Sequence, residues 1–188
     1  MADSSADVRY VAADMLSQAE HGRDSQAIVV CDSAELAEAI ATEVERQAAT
    51  LERGAYIAES LANSRAVVFS RREDMIAFAN EYAAEHLIVS MADAWAVVDN
   101  ITAAGSIFVG NFSPESAGDY ASGTNHTLPT SGWAHSCSGV NVDSFMRKMT
   151  IQELSSEGLK GLSSTIVAMA EAEGLEAHAN AVRVRMKE

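Results

Sequence analysis

The chain has 188 residues, 48% of them apolar and 21% charged, which suits one ordinary domain with a core of its own. A formal net charge of −14 sets its surface against phosphate backbones and anionic lipid, and so speaks against nucleic acid or a membrane surface as a partner. The two cysteines, Cys31 and Cys137, lack CxxC spacing, so neither a disulfide framework nor a thiolate zinc site is expected, and a reducing cytoplasm is the natural setting.

The start, "MADSSADVRY", is acidic and polar and is no signal peptide, and no run approaches the ~20 apolar residues that span a bilayer. In residues 7–21, Val8, Val11, Ala12, Met15, Leu16 and Ala19 recur at helical spacing, with Gly22 as the stop. "QAIVV" at 26–30 is an apolar run such as a strand covered on both faces would have. Asp32 and Glu35 then form a capping box ahead of "AELAEAIATEVERQAATL". "RAVVF" at 65–69 reads as a second buried strand, and Ser70 with Glu73 as the box opening "DMIAFANEYAAE". "HLIVS" at 86–90, a helical "ADAWAVVDNI" and "GSIFVG" at 105–110 complete the alternation. Strand and helix in turn predict an α/β fold with an open, mostly parallel sheet.

From 111 to 142 the periodicity dissolves into Gly, Ser, Asn and Thr, as in a structured binding loop. Within it, Ser113-Pro114-Glu115 reads as an N-cap, a helix-first proline and an acid suited to the helix dipole. Thr150 and Glu153 form a third capping box for a helix running to about 172, and "LEAHANAVRVRMKE" follows with helical content and then β-branched alternation. The expected organisation is a first helix over 1–24, an α/β body over 25–142 and a C-terminal helical tail over 143–188.

GxGxxG, P-loop and HExxH motifs are all lacking. The chemistry rests instead on polar pairs at element ends: Gln18 with His21, Glu85 with His86, Asp119 with His126 across a glycine-rich turn, and Glu173 with His178 in the tail. Residues i and i+3 of a helix stand about 60° apart around its axis, so Gln18 and His21 can reach one point. A metal site and an ordinary polar helix end both remain open on that spacing. A His/Asp/Gln set without cysteine suits a borderline divalent ion with an exchangeable position. His135 carries no sign of a role.

The stretches "LSQAEHG", "AEHLIVS", "AAGSIFVGNFSPESAGDYASGTNHTLPTSG" and "EAEGLEAHANAV" together resemble histidinol dehydrogenase, in order and over essentially the whole chain. The resemblance implies a zinc- and NAD-dependent homodimer that oxidises L-histidinol to L-histidinal and then to L-histidine. By residue, it implies Gln18, His21, Asp119 and His178 as zinc ligands, Glu85 and His86 as the acid/base pair, and His126 and Glu173 as substrate contacts. The zinc ligands and His86 would also touch the substrate. The same resemblance implies an incomplete Rossmann-like body, and a tail that completes the site of the other subunit.

Two departures stand out. The family usually has proline before the Glu-His pair, where this chain has Ala84. Family members are also more than twice this length, and the similarity covers their C-terminal part; the resemblance implies that the NAD-contacting residues belong to the part not matched, for which a separate N-terminal polypeptide is one candidate source. A non-catalytic zinc-binding or assembly fragment is the alternative reading.

Overall fold

The structure, a computed structural model, describes residues 1–186. It divides into two compact units, residues 1–145 and residues 146 onward.

The first unit is an α/β body. Helix α1 (Val8–Ala19) starts where the Asp7 side chain accepts from the Arg9 amide, and turns Val11, Ala12, Leu16 and Ala19 inward. Strand β1 (Ile28–Cys31) leads to α2 (Ala34–Ala48), then α3 (Gly54–Leu61), β2 (Arg65–Val68) and α4 (Arg72–Tyr82). Strand β3 (His86–Val89), α5 (Ala94–Val98), β4 (Ser106–Val109) and α6 (Glu115–Tyr120) follow. β1 pairs in parallel with β2, and β3 in parallel with β4. Ala2 joins the two ladders by bridging Cys31 on one side and Ser90 on the other, both in parallel. The order across the layer is therefore β2, β1, residues 1–3, β3, β4.

That arrangement bears out the α/β expectation of an open parallel sheet and adds a central segment that the sequence reading passed over. Two apolar residues before a polar run are too few to register as a strand, yet Ala2 is fully buried. Two apolar clusters enclose the strands. One unites α1, α2, Val29 and Ile57; the other unites Val30, Met75, Leu87, Val89 and Val97. Full burial of side chains such as Ile40 and Ile57 contributes about 1.5–3 kcal/mol each.

Several local expectations shift. The cap of α2 is Ser33, whose hydroxyl accepts from the Leu36 amide, and not Asp32. The Ser70 box does not form: α4 begins after Arg71 without a side-chain cap. "RAVVF" is an edge strand rather than a buried one, with Val68 44% exposed. Pro114 occupies the N-cap of α6, one place earlier than expected, and the Ser113 hydroxyl donates back to the Val109 carbonyl. The helix after 150 opens at Ser155, whose hydroxyl accepts from the Gly158 amide, so Thr150 and Glu153 lie ahead of it.

The second unit is a helix pair, α7 (Ser156–Ala172) and α8 (Glu176–Arg183), reversed at Gly174 where the Leu175 amide reaches back to the Ala170 carbonyl. Arg183 of α8 pairs with Glu171 of α7 and with Glu176 in its own helix. The β-branched alternation at 182–186 forms helical turns and no strand; residues 187–188 of that segment lie outside the described residues. Among the described residues no helix is long and apolar enough to cross a membrane.

Candidate functional site

Three elements of the first unit converge where β3 begins. Helix α1 carries Gln18 in its last turn, and His21 follows directly after the cap residue Glu20. Strand β3 opens on His86, with Glu85 just before it. Helix α6 presents Glu115 and Asp119 at i and i+4, which puts both carboxylates on one face. The site thus lies at the N-terminal end of β3, opposite the carboxyl-end crevice that open α/β sheets usually offer to ligands.

Glu115 Oε1 lies 3.2 Å from His21 Nε2 and 3.9 Å from His86 Nδ1. The two imidazoles meet edge to face at 6.1 Å, and Phe108 backs His86 at 6.0 Å. One ligand atom each from His21, Glu115 and Asp119 fall within 4.8 Å of one another. His86 Nδ1 stands 3.2 Å from Gln18 Oε1. An amide oxygen accepts and never donates, so Nδ1 carries the proton and Nε2 the lone pair. Among the described residues, His86 Nε2 and Glu115 Oε1 are buried without a hydrogen-bond partner.

Burial dominates the electrostatics. It pushes the Glu115 carboxyl up to about 7, with His21 pulling down and Asp119, Asp14 and Glu85 pushing further up. Glu85 is likewise raised by burial, against His21 and with Asp119. Burial lowers His86 below the ordinary imidazole value, with Asp119 opposing and His21 adding to the fall. The result is a neutral, base-ready imidazole beside carboxyls that hold their protons more tightly than in water.

Two glycines let the backbone close around this group. A Cβ at Gly105 would sit 2.5 Å from the Glu85 carbonyl oxygen, and one at Gly118 would sit 2.6 Å from Phe108 Cε1. The Gly105 amide also donates to the Ala84 carbonyl, fixing the turn in which Ala84 stands. Ala83 at the end of α4 is left-handed, φ 49°, a conformation that costs a non-glycine residue energy just ahead of the Glu-His pair.

The donors fit a divalent cation. A buried carboxylate oxygen without a hydrogen bond, beside an imidazole nitrogen and a second carboxylate, is satisfied by positive charge at that point. One nitrogen and two oxygens with no sulfur suit zinc or a similar ion, and Gln18 Oε1 keeps a second lone pair for the same use.

Of the residues singled out in the sequence, Gln18, His21, Glu85, His86 and Asp119 belong to this group. His126 is exposed on the loop after α6. Glu173 caps α7 and His178 lies in α8, both in the second unit and both exposed there. His135 hydrogen-bonds the Glu81 carbonyl. Glu115 escaped the sequence reading. It looked like a dipole-compatible acid in a first helical turn, whereas it is 2% exposed and central. Its spacing of four residues before Asp119 was the available signal.

The histidinol dehydrogenase family profile matches residues 1–186. Histidinol dehydrogenase of Bacteroides fragilis (strain YCH46) is 51% identical over all 188 residues, which cover 44% of that protein. The Escherichia coli (strain K12) enzyme is 49% identical over 186 residues, which cover 99% of this chain and 43% of that enzyme. The crystal structure of histidinol dehydrogenase from Elizabethkingia anophelis superposes with a TM-score of 0.94 at 49% identity, over 99% of this chain and 43% of that one. The chain therefore spans less than half the length of the relatives it matches. With the fold and the profile in agreement over nearly every residue, this chain belongs to the histidinol dehydrogenase family.

Proposed function

We propose that these residues form the C-terminal portion of a zinc- and NAD-dependent, cytoplasmic enzyme of histidine biosynthesis, which oxidises L-histidinol through L-histidinal to L-histidine. The observation that carries the reading is the buried His86 Nε2, unpaired among the described residues and set beside Glu85 and the His21–Glu115–Asp119 cluster. Zinc bound there would supply Lewis-acid polarisation and a fixed point for the substrate's nitrogens.

The chain's own residues divide the remaining work. Gln18, by accepting from Nδ1, holds His86 with Nε2 free to take the alcohol proton as hydride departs. Glu85 acts as the base that activates water on the aldehyde in the second oxidation. Burial raises its pKa, which makes it a stronger base than an ordinary carboxylate. Gln18, His21 and Asp119 are assigned as ligands, with Glu115 added to them from the geometry. His126 and Glu173 are assigned to the substrate, and His178 is assigned as the ligand that an exchanged tail brings to the other subunit's site. Met149 and Ile151, 82% and 93% exposed in the segment leading to α7, support association with another chain.

Titration calorimetry with L-histidinol tests the reading. Binding is expected with zinc present and to vanish with a chelator. Zinc-independent binding, or none in a zinc-loaded homodimer, overturns it.

A further inference from the structure

Phe108 is buried, yet among the described residues it belongs to neither of the two apolar clusters that enclose the strands. The pleat accounts for this. Side chains alternate between the two faces of a strand, and Leu87, Val89 and Ile107 take the face that packs with Met75 and Val97. His86 and Ile88 on β3 take the other face, with Phe108 of β4 paired opposite Ile88. His86 and Phe108 are therefore diagonal neighbours across the ladder, and their rings lie 6.0 Å apart at 47°.

The same ring meets helix α6. A Cβ at Gly118 would sit 2.6 Å from Phe108 Cε1 and 3.1 Å from Cζ, closer than carbon atoms pack, so α6 lies this near only because residue 118 has no side chain. Backbone conformation does not call for a glycine here, since Gly118 is not among the residues with positive φ. Inside a helix glycine is less favourable than alanine, and what it permits at this position is the close approach to the ring. Gly118 is buried and stands between the two carboxylates of the site, three residues after Glu115 and one before Asp119.

We propose that Phe108 is a positioning residue for the candidate site: its ring, seated against both His86 and Gly118, sets the separation between the His86 imidazole and the α6 carboxylates Glu115 and Asp119. The proposal rests on the reading of His86 as the base and of these carboxylates as metal ligands. A base and a ligand cluster that serve one substrate have to keep a fixed spacing, and a misplacement of about 1 Å can cost on the order of 100-fold in rate. Phe108 holds that spacing from β4, an element that carries none of the polar groups of the site. Gly118 is its counterpart on α6.

A double-mutant cycle in the 188-residue chain tests the proposal with two readouts: the imidazole NMR signals of His21 and His86 at fixed pH without metal, and zinc affinity by competition with a chelator. Gly118→Ala drives a methyl group into the ring, although alanine by itself favours a helix. It is expected to shift both imidazoles and to weaken zinc binding about 10–100-fold. The added methyl group also approaches Thr124 Oγ1, at 2.8 Å, but that side chain is exposed and can turn away. Phe108→Leu, the milder change, should shift His86 and weaken zinc binding in its turn. In the double variant the shorter side chain leaves room for the methyl group, so the combined loss should be clearly smaller than the product of the single losses. Val97→Ala, in the cluster on the other face, should lower the urea midpoint and leave both readouts unchanged. Losses that multiply, imidazole signals that neither variant moves, or an equal effect of Val97→Ala would overturn the proposal and make Phe108 a packing residue alone. Coupled imidazole shifts in a chain that takes up no zinc would uphold the spacing role and contradict the zinc reading instead.

Discussion

His86 Nδ1 stands 3.2 Å from Gln18 Oε1, an atom that only accepts, and this one contact decides which ring nitrogen carries the proton. Long-range nitrogen–proton NMR of the imidazole should show the Nδ1–H form dominating in the metal-free chain. Gln18→Ala removes the acceptor and should give a mixture of tautomers with the backbone spectrum otherwise kept. An unchanged tautomer in that variant would show that another group orients the ring.

The second prediction concerns Glu115, which sits 3.2 Å from His21 and shares a helix face with Asp119. Glu115→Gln keeps the shape and removes the charge. Zinc affinity measured by competition with a chelator should fall by about 10–100-fold, as for other groups that complete or support a metal shell. A substitution at the exposed His135, which bonds the Glu81 carbonyl, should leave affinity unchanged.

How much of this was legible beforehand differs between fold and site. Strand runs such as "HLIVS" and "GSIFVG" declared themselves because consecutive apolar residues between turn signals have few other uses. Residues 1–3 did not, because their strand character comes from two neighbours far along the chain and not from local pattern. The caps at Ser33 and Ser155 were each missed in favour of a nearby box with the right spelling, since spacing alone does not say which hydroxyl the backbone reaches. At the site, Gln18, His21, Glu85, His86 and Asp119 were readable as polar punctuation at element ends. Glu115 was not, because an acid in a first helical turn is ordinary until tertiary packing buries it.

Gly105 gives a stability prediction. A methyl group there meets the Glu85 backbone, which cannot swing aside as a side chain would. Gly105→Ala should cost about 1–3 kcal/mol in urea unfolding. It should also disturb the His86 resonances, because the displaced peptide adjoins that residue. Full stability in the variant would mean that the turn relaxes freely.

Asp14 gives the pH dependence. Burial raises its carboxyl to about 6, against the nearby Met1 amine. A folded value above the unfolded one means that the native state holds the proton longer. Its stabilising contribution is complete below about pH 4 and is lost as pH rises through 6. Asp14→Asn should therefore be more stable than the parent at pH 7, by about 1–2 kcal/mol after allowance for partial solvent access, and little different at pH 4. Urea midpoints at the two values measure it; a difference that grows toward acid would reverse the assignment.

The most direct test is histidinol-dependent NADH formation in a purified complex of this chain with the part of the Escherichia coli enzyme that it does not match. Zinc-dependent NADH formation is expected from the complex and from neither piece alone, and His86→Ala should reduce it by about 10²–10⁴-fold on both L-histidinol and L-histidinal. Glu85→Gln should chiefly slow the histidinal step. A stable, zinc-loaded complex that forms no NADH, or one whose rate survives His86→Ala, would contradict the assignment of these residues to histidinol oxidation.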